Sequence, residues 1–115
     1  MMYYLCLDPG FANIGWAVME MAPDGTLGFA NFGGVIRTQK NKQKVLVSDD
    51  NIVRCRIIVS GLVDALSPIG GMGNIGGIVA ESQSWPRDAS TSAKLGMAWG
   101  ILATLAEIWD VPVIQ

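Results

Sequence analysis

The spacing between apolar runs constrains this chain more than any other feature. The first three runs are residues 2–8 (MYYLCLD), 14–21 (IGWAVMEM) and 27–38 (LGFANFGGVIRT). Only short turn signals join them: Pro9-Gly10 with the following Phe-Ala-Asn, then APDGT. Links this short favour hairpins, so the opening reads as an antiparallel meander of three strands. The Gly33-Gly34 pair predicts a bulge in the third strand.

Beyond residue 38 the linkers change character. QKNKQKVLVS reads as an exposed loop, in which VLV has the composition of a short strand, and Ser48 or Asp49 is placed to cap a helix. Ile52, Cys55, Val59, Leu62 and Leu66 then recur at steps of three and four, with Ile58 and Val63 beside them. That spacing predicts one buried helix face ending before Pro68. SPIGGMGNIGG reads as a flexible loop; it lacks the Lys-Ser/Thr that a phosphate-cradling P-loop carries after its glycines. IGGIVAES predicts a buried strand, and SQSWPRD a loop.

A second helix is expected from near Ser90 or Ser92 to about Asp110. It contains Gly96-x-x-x-Gly100. Each glycine costs a helix up to about 1 kcal/mol, which predicts a close backbone approach at that point. VPVIQ supplies a last short strand. The order β-β-β-α-β-α-β places a helical crossover between each later pair of strands, and such crossovers imply parallel pairing. The expected fold is α/β: a mixed sheet with three antiparallel strands, then β-α-β-α-β, and helices packed on it.

Composition narrows the chemistry. The 115 residues suit one domain; half are hydrophobic and 16% charged, which excludes a disordered chain. The formal charge of −2 argues against non-specific nucleic-acid binding as the main role. Yet Arg37, Lys40, Lys42 and Lys44 crowd into RTQKNKQK, which reads either as a solvated loop or as a phosphate-contacting one. Cys6 and Cys55 lie in apolar stretches with no C-x-x-C pair, which fits a reducing cytoplasm rather than a disulfide or zinc scaffold. The absence of histidine rules out imidazole bases and histidine metal ligands. The N-terminus lacks the basic start of a signal peptide, and no apolar run reaches membrane-spanning length.

Two acids stand out. Asp8 closes the first apolar run and Glu81 lies just past the fourth. If those strands are parallel neighbours, both carboxylates emerge at one sheet edge, where open α/β sheets place ligands. A divalent cation would relieve their repulsion, and Mg²⁺ suits oxygen donors that leave open positions for a phosphate. Turn chemistry explains each acid taken singly, so a metal site and two separate surface carboxylates both remain open on spacing alone.

DPGFANIGWAV, IRT, GIVAES and above all RDASTSAKLGMAWG resemble the bacterial RuvC family of Holliday-junction resolvases, which has the ribonuclease-H-like fold. The match runs over essentially the whole chain in the same order. The resemblance implies a homodimeric endodeoxyribonuclease that binds four-way DNA junctions and cuts them with Mg²⁺ (or Mn²⁺). It gives Asp8 and Glu81 the first two catalytic, metal-binding positions. It makes the loop from Ser82 to Asp88 a DNA-contacting loop, with Trp85 and Arg87 as its contacts. Trp85 is suited to stacking on a base. Lys94, Arg37 and Lys40 are further candidates for phosphate contact, and the helix over 92–109 is the expected dimer element.

The family carries two further acids on a last helix, which this sequence lacks. Two expectations follow: a piece of a longer nuclease, or a reduced relative without activity. A non-catalytic dimerising or DNA-binding module of the same fold remains an alternative. So does a nucleotide-binding domain of the actin and sugar-kinase type, whose first hairpin also carries an Asp-x-Gly.

Overall fold

The computed structural model describes residues 2–81 and 89–115. Among the described residues there are five strands: β1 (Met2–Asp8), β2 (Asn13–Met21), β3 (Leu27–Arg37), β4 (Ile75–Ala80) and β5 (Val113–Ile114). The helices are α1 (Val47–Ala65), between β3 and β4, and α2 (Ala89–Trp109), between β4 and β5. The strands form one sheet in the order β3-β2-β1-β4-β5. β1 pairs antiparallel with β2, and β2 with β3. β1 pairs parallel with β4, and β4 with β5. The linker argument therefore holds: turns gave the hairpins and helical crossovers gave the parallel pairs.

Local chemistry explains the turns. At Gly10, between β1 and β2, an added Cβ would lie 2.5 Å from the Asn13 carbonyl oxygen, so only glycine fits. In APDGT, Gly25 takes φ 89°, the Gly25 N–H donates to the Ala22 carbonyl and the Ala22 N–H donates to the Thr26 carbonyl. The Asp24 carboxylate accepts from both the hydroxyl and the N–H of Thr26. Those bonds, the hydroxyl first, hold the Asp24 carboxyl below its usual range.

Period-2 alternation gives the sheet two unlike faces. Leu5, Leu7, Ile14, Val18, Ile78 and Ala80 point to one side and form a core with Ile58 and Leu62 of α1 and Ile101, Leu102 and Leu105 of α2. Each fully buried aliphatic side chain there contributes about 1.5–3 kcal/mol. Tyr4, Cys6, Ala17, Met19 and Val79 alternate to the other side and are only half-buried. Among the described residues no helix covers that second face.

Several expectations need correction. The Gly33-Gly34 pair is in regular register with Ala17 and Trp16; the irregularities fall further along, around Met19. Trp16 takes up the space that a side chain at Gly34 would fill, its indole lying 3.2 Å from where a Cβ would stand. VLV is not a strand: α1 begins at Val47, its N-cap residue is Leu46, and neither Ser48 nor Asp49 caps it. SPIGGMGNIGG contains two single-turn 3₁₀ helices, Ser67–Ile69 and Met72–Asn74. Of the predicted face of α1, Leu62 and Leu66 are buried with Ile58, and Cys55 and Val59 pack against the core; the departures are Ile52, 58% exposed, and Arg54, which is buried in the same stripe. Gly96 and Gly100 have no described atom within 4 Å of an added Cβ, so no close approach within this chain accounts for them.

Candidate functional site

Asp8 is the last residue of β1, and Glu81 follows the last residue of β4. The parallel register pairs Cys6 with Val79 and Leu7 with Ala80, so Asp8 and Glu81 come next, side by side. The Glu81 N–H donates to the Leu7 carbonyl at 3.3 Å, which carries the pairing to that point. Neighbouring strands run about 4.8 Å apart. Paired residues of parallel strands share a face, so both carboxylates fall on the side away from the helices. Both residues are exposed.

The two acids border a shallow open cleft of about 520 Å³, walled by Cys6, Gly15, Val79 and Gln115 among others. Gly15 sits opposite Asp8 on β2 and leaves the carboxylate side unobstructed; a Cβ there would meet Asp8 Cβ at 3.5 Å, an ordinary contact. Burial raises the Cys6 thiol above its ordinary value of 9.0, so at neutral pH this neighbour adds no negative charge.

The donor set suits a hard cation. Mg²⁺ is typically held by one or two carboxylates, with water and substrate phosphate filling the remaining positions. Two exposed, adjacent carboxylates on an open face meet that description. Among the described residues no third Asp, Glu, Cys or His joins them.

The basic candidates lie at the same edge of the sheet, where β1, β3 and β4 end and both helices begin. Arg37 closes β3, paired with Asn13, and is exposed. Lys40 is exposed in the following loop, and Lys94 is half-buried in the second turn of α2. Lys40 and Lys94 line one cavity. The expectations for Trp85 and Arg87 fall outside the described residues.

Sequence reading missed a buried charge, Arg54. Arg54 is only 4% exposed. Its Nε donates to the Thr38 hydroxyl at 3.0 Å, and that hydroxyl donates to the Phe11 carbonyl at 2.6 Å. Its guanidinium carbon stands 4.4 Å from the centroid of the Phe11 ring. The signal was present: Arg54 lies four residues before Ile58 and eight before Leu62, in helical phase with both. A charged residue is ordinarily assigned to the solvent side, which hid it.

No protein-family model matches the sequence, and no curated protein matches it. Solved structures do. RuvC from Thermus thermophilus in complex with a Holliday junction substrate is similar with a TM-score of 0.70 and 21% identity, over 98% of this chain and 63% of that one. The yeast mitochondrial Holliday junction resolvase Ydc2 gives 0.54 at 15% identity, over 96% and 48%. YeaZ from Pseudomonas aeruginosa gives 0.60 at 14% identity, over 99% and 43%. This chain thus spans less than two thirds of each of these proteins. With its mixed five-stranded sheet, strand order and helical crossovers, the chain has the ribonuclease-H-like fold of the RuvC resolvases.

Proposed function

We propose that this chain is the core of a metal-dependent endonuclease that hydrolyses phosphodiester bonds in branched DNA, with the four-way junction as substrate. One observation carries the reading: the β1–β4 register sets Asp8 beside Glu81 on the uncovered face. The likeness of the fold to two Holliday-junction resolvases supports it.

In this reading Asp8 and Glu81 hold Mg²⁺ or Mn²⁺ through their carboxylate oxygens. The ion, when bound, polarises the phosphoryl group and lowers the pKa of an attacking water. Asp8 is fixed at a strand end and Glu81 by its backbone bond to Leu7, so the two carboxylates meet the substrate from a rigid edge. Arg37, Lys40 and Lys94 bind the DNA backbone, joined by Trp85 and Arg87, which follow Glu81 closely in sequence. The active form is a homodimer through the helix over 92–109. Gly96 and Gly100 are exposed there, which suits the close approach of a second copy.

The test is cleavage of a four-way junction with Mg²⁺ or Mn²⁺, compared with linear duplex of the same arms. The expected result is junction-selective cutting that EDTA abolishes. Asp8→Asn should abolish the cutting and leave junction binding in place. Cleavage at the parental rate by Asp8→Asn overturns the assignment of the site.

A second reading, a DNA-binding module without catalysis, is favoured by one observation: only two metal-ligating acids come together among the described residues. Junction binding that is unaffected by metal, with no cleavage at any Mg²⁺ or Mn²⁺ concentration, identifies it.

A further inference from the structure

We propose that Arg54, with Lys40, Lys42 and Lys94, forms a binding site for a single phosphate group, filled in the nucleic-acid complex by a backbone phosphodiester. The source of that phosphate rests on the nuclease reading above; the site itself does not.

Arg54 is the unusual element. A buried guanidinium costs several kcal/mol unless it is paired. Among the described residues no carboxylate forms an ion pair with it, and Thr38 engages only its Nε. Yet no buried side-chain nitrogen among the described residues lacks a partner. The Arg54 side chain itself lines the cavities beside it, the space within reach of its two terminal nitrogens. Two such cavities adjoin, both walled by Arg54, Lys40, Asn41 and Gln43. Lys42 completes one and Lys94 the other.

Charge and shape point to the same ligand. Among the described residues four cations border the two cavities, against one carboxylate, Asp50, which already accepts a hydrogen bond from the Asn41 N–H at 3.2 Å. A planar guanidinium with Nε fixed presents its terminal nitrogens as a fork, which matches two oxygens of a phosphate. Thr38 and the Phe11 ring fix the fork before any ligand arrives. Asn41 and Gln43 add neutral donors at the rim.

The site also lies in a useful place. Asp8 and Phe11 are separated only by Pro9 and Gly10. The turn that leaves the acid pair on the open face thus delivers, three residues later, the ring on which Arg54 rests. A strand held by its phosphate at Arg54 approaches the sheet edge that carries Asp8 and Glu81.

The experiment is a titration of the full chain with inorganic phosphate at constant ionic strength, following the Arg54 Nε–Hε NMR signal. Junction-DNA binding is measured in parallel over a salt series. A saturable Arg54 shift is expected. Lys40→Ala/Lys94→Ala, which removes two accessible side chains, should weaken phosphate binding on the order of tenfold or more. It should also flatten the slope of log K against log salt by about 1, the value of one lost phosphate contact. No saturable Arg54 shift overturns the site whatever the DNA result, as does unchanged phosphate affinity in the double variant. A saturable shift with an unchanged DNA slope keeps the site but overturns DNA as its source. A saturable shift in a chain that binds no DNA keeps the site for a free phosphate or phosphomonoester, and overturns the nuclease reading alone.

Discussion

Two clusters of charge share one edge of the sheet and are built by opposite means. Asp8 and Glu81 lie on the uncovered face, exposed, as neighbours in a parallel pair. Arg54 lies on the helix side, buried against Phe11 and Thr38. The acids remain hydrated until a ligand comes. The arginine has already lost most of its water, and the fold has fixed its direction. The difference teaches where rigidity comes from: backbone register positions the acids, and side-chain packing positions the guanidinium. Substitutions at the first cluster should therefore alter activity with little change in stability. At the second, truncating the packed side chain should lower stability and binding together.

Glu81→Ala probes that contrast most sharply. If Glu81 holds a metal as proposed, its loss removes several kcal/mol of transition-state stabilisation. Junction cleavage should fall on the order of 10²–10³-fold. Exposed substitutions away from the core change stability little, so the thermal midpoint should stay within about 2 °C of the parent. A large fall in midpoint would show that Glu81 supports the fold and would erase the distinction.

Arg54→Ala tests the other side. It removes a buried aliphatic stem, the contact with the Phe11 ring and the hydrogen bond to Thr38, and should destabilise the chain by about 2–4 kcal/mol in urea unfolding. Gly10→Ala strikes the turn between the clusters. Its Cβ meets the Asn13 carbonyl oxygen, so a loss of about 1–3 kcal/mol is expected, with cleavage and phosphate binding both impaired.

Arg54→Met sharpens the comparison by separating charge from volume. Replacing a buried charge by an apolar side chain of similar size is often neutral or stabilising. Stability within about 1 kcal/mol of the parent, or above it, is expected from the same unfolding curve. A much less stable Arg54→Met would show that the charge itself holds the fold.

The smallest effect concerns pH. Burial raises the Cys6 thiol above 9.0, so the folded state keeps a proton that the unfolded chain has begun to release. Wherever the unfolded state binds fewer protons, stability falls as pH rises. The contribution from Cys6 is thus fully present below pH 9 and declines above it. Burial raises Cys55 in the same direction. Denaturation midpoints should drop above pH 9, and Cys6→Ala should lessen the drop.

The acid pair was readable in the sequence because strand ends have simple signatures. An apolar run stops at Asp8, another stops before Glu81, and helical crossovers make those strands parallel. Which face the two share needed only the register. The helix side was less readable. The stripe through Cys55, Val59, Leu62 and Leu66 does face the core, with Ile58 beside it, yet α1 is turned so that Arg54 goes inward too and Ile52 goes out. Gly61 explains part of this: Ile36 of β3 presses on it closely enough that a Cβ would lie 2.7 Å from the Ile36 side chain. That contact sets the rotation of α1 over β3. Residues of β3 and α1 far apart in sequence made that choice, and no local pattern records it.

By itself the sequence determined the order of elements, the direction of each strand pairing and the positions of the two terminal acids, because turn chemistry, linker length and period-2 alternation act over a few neighbouring residues. Only the tertiary structure decided the rotation of α1, the burial of Arg54 on Phe11 and the placing of both described helices on one face of the sheet. Those depend on how complete elements pack, and the energy of packing belongs to contacts between elements rather than to any one segment.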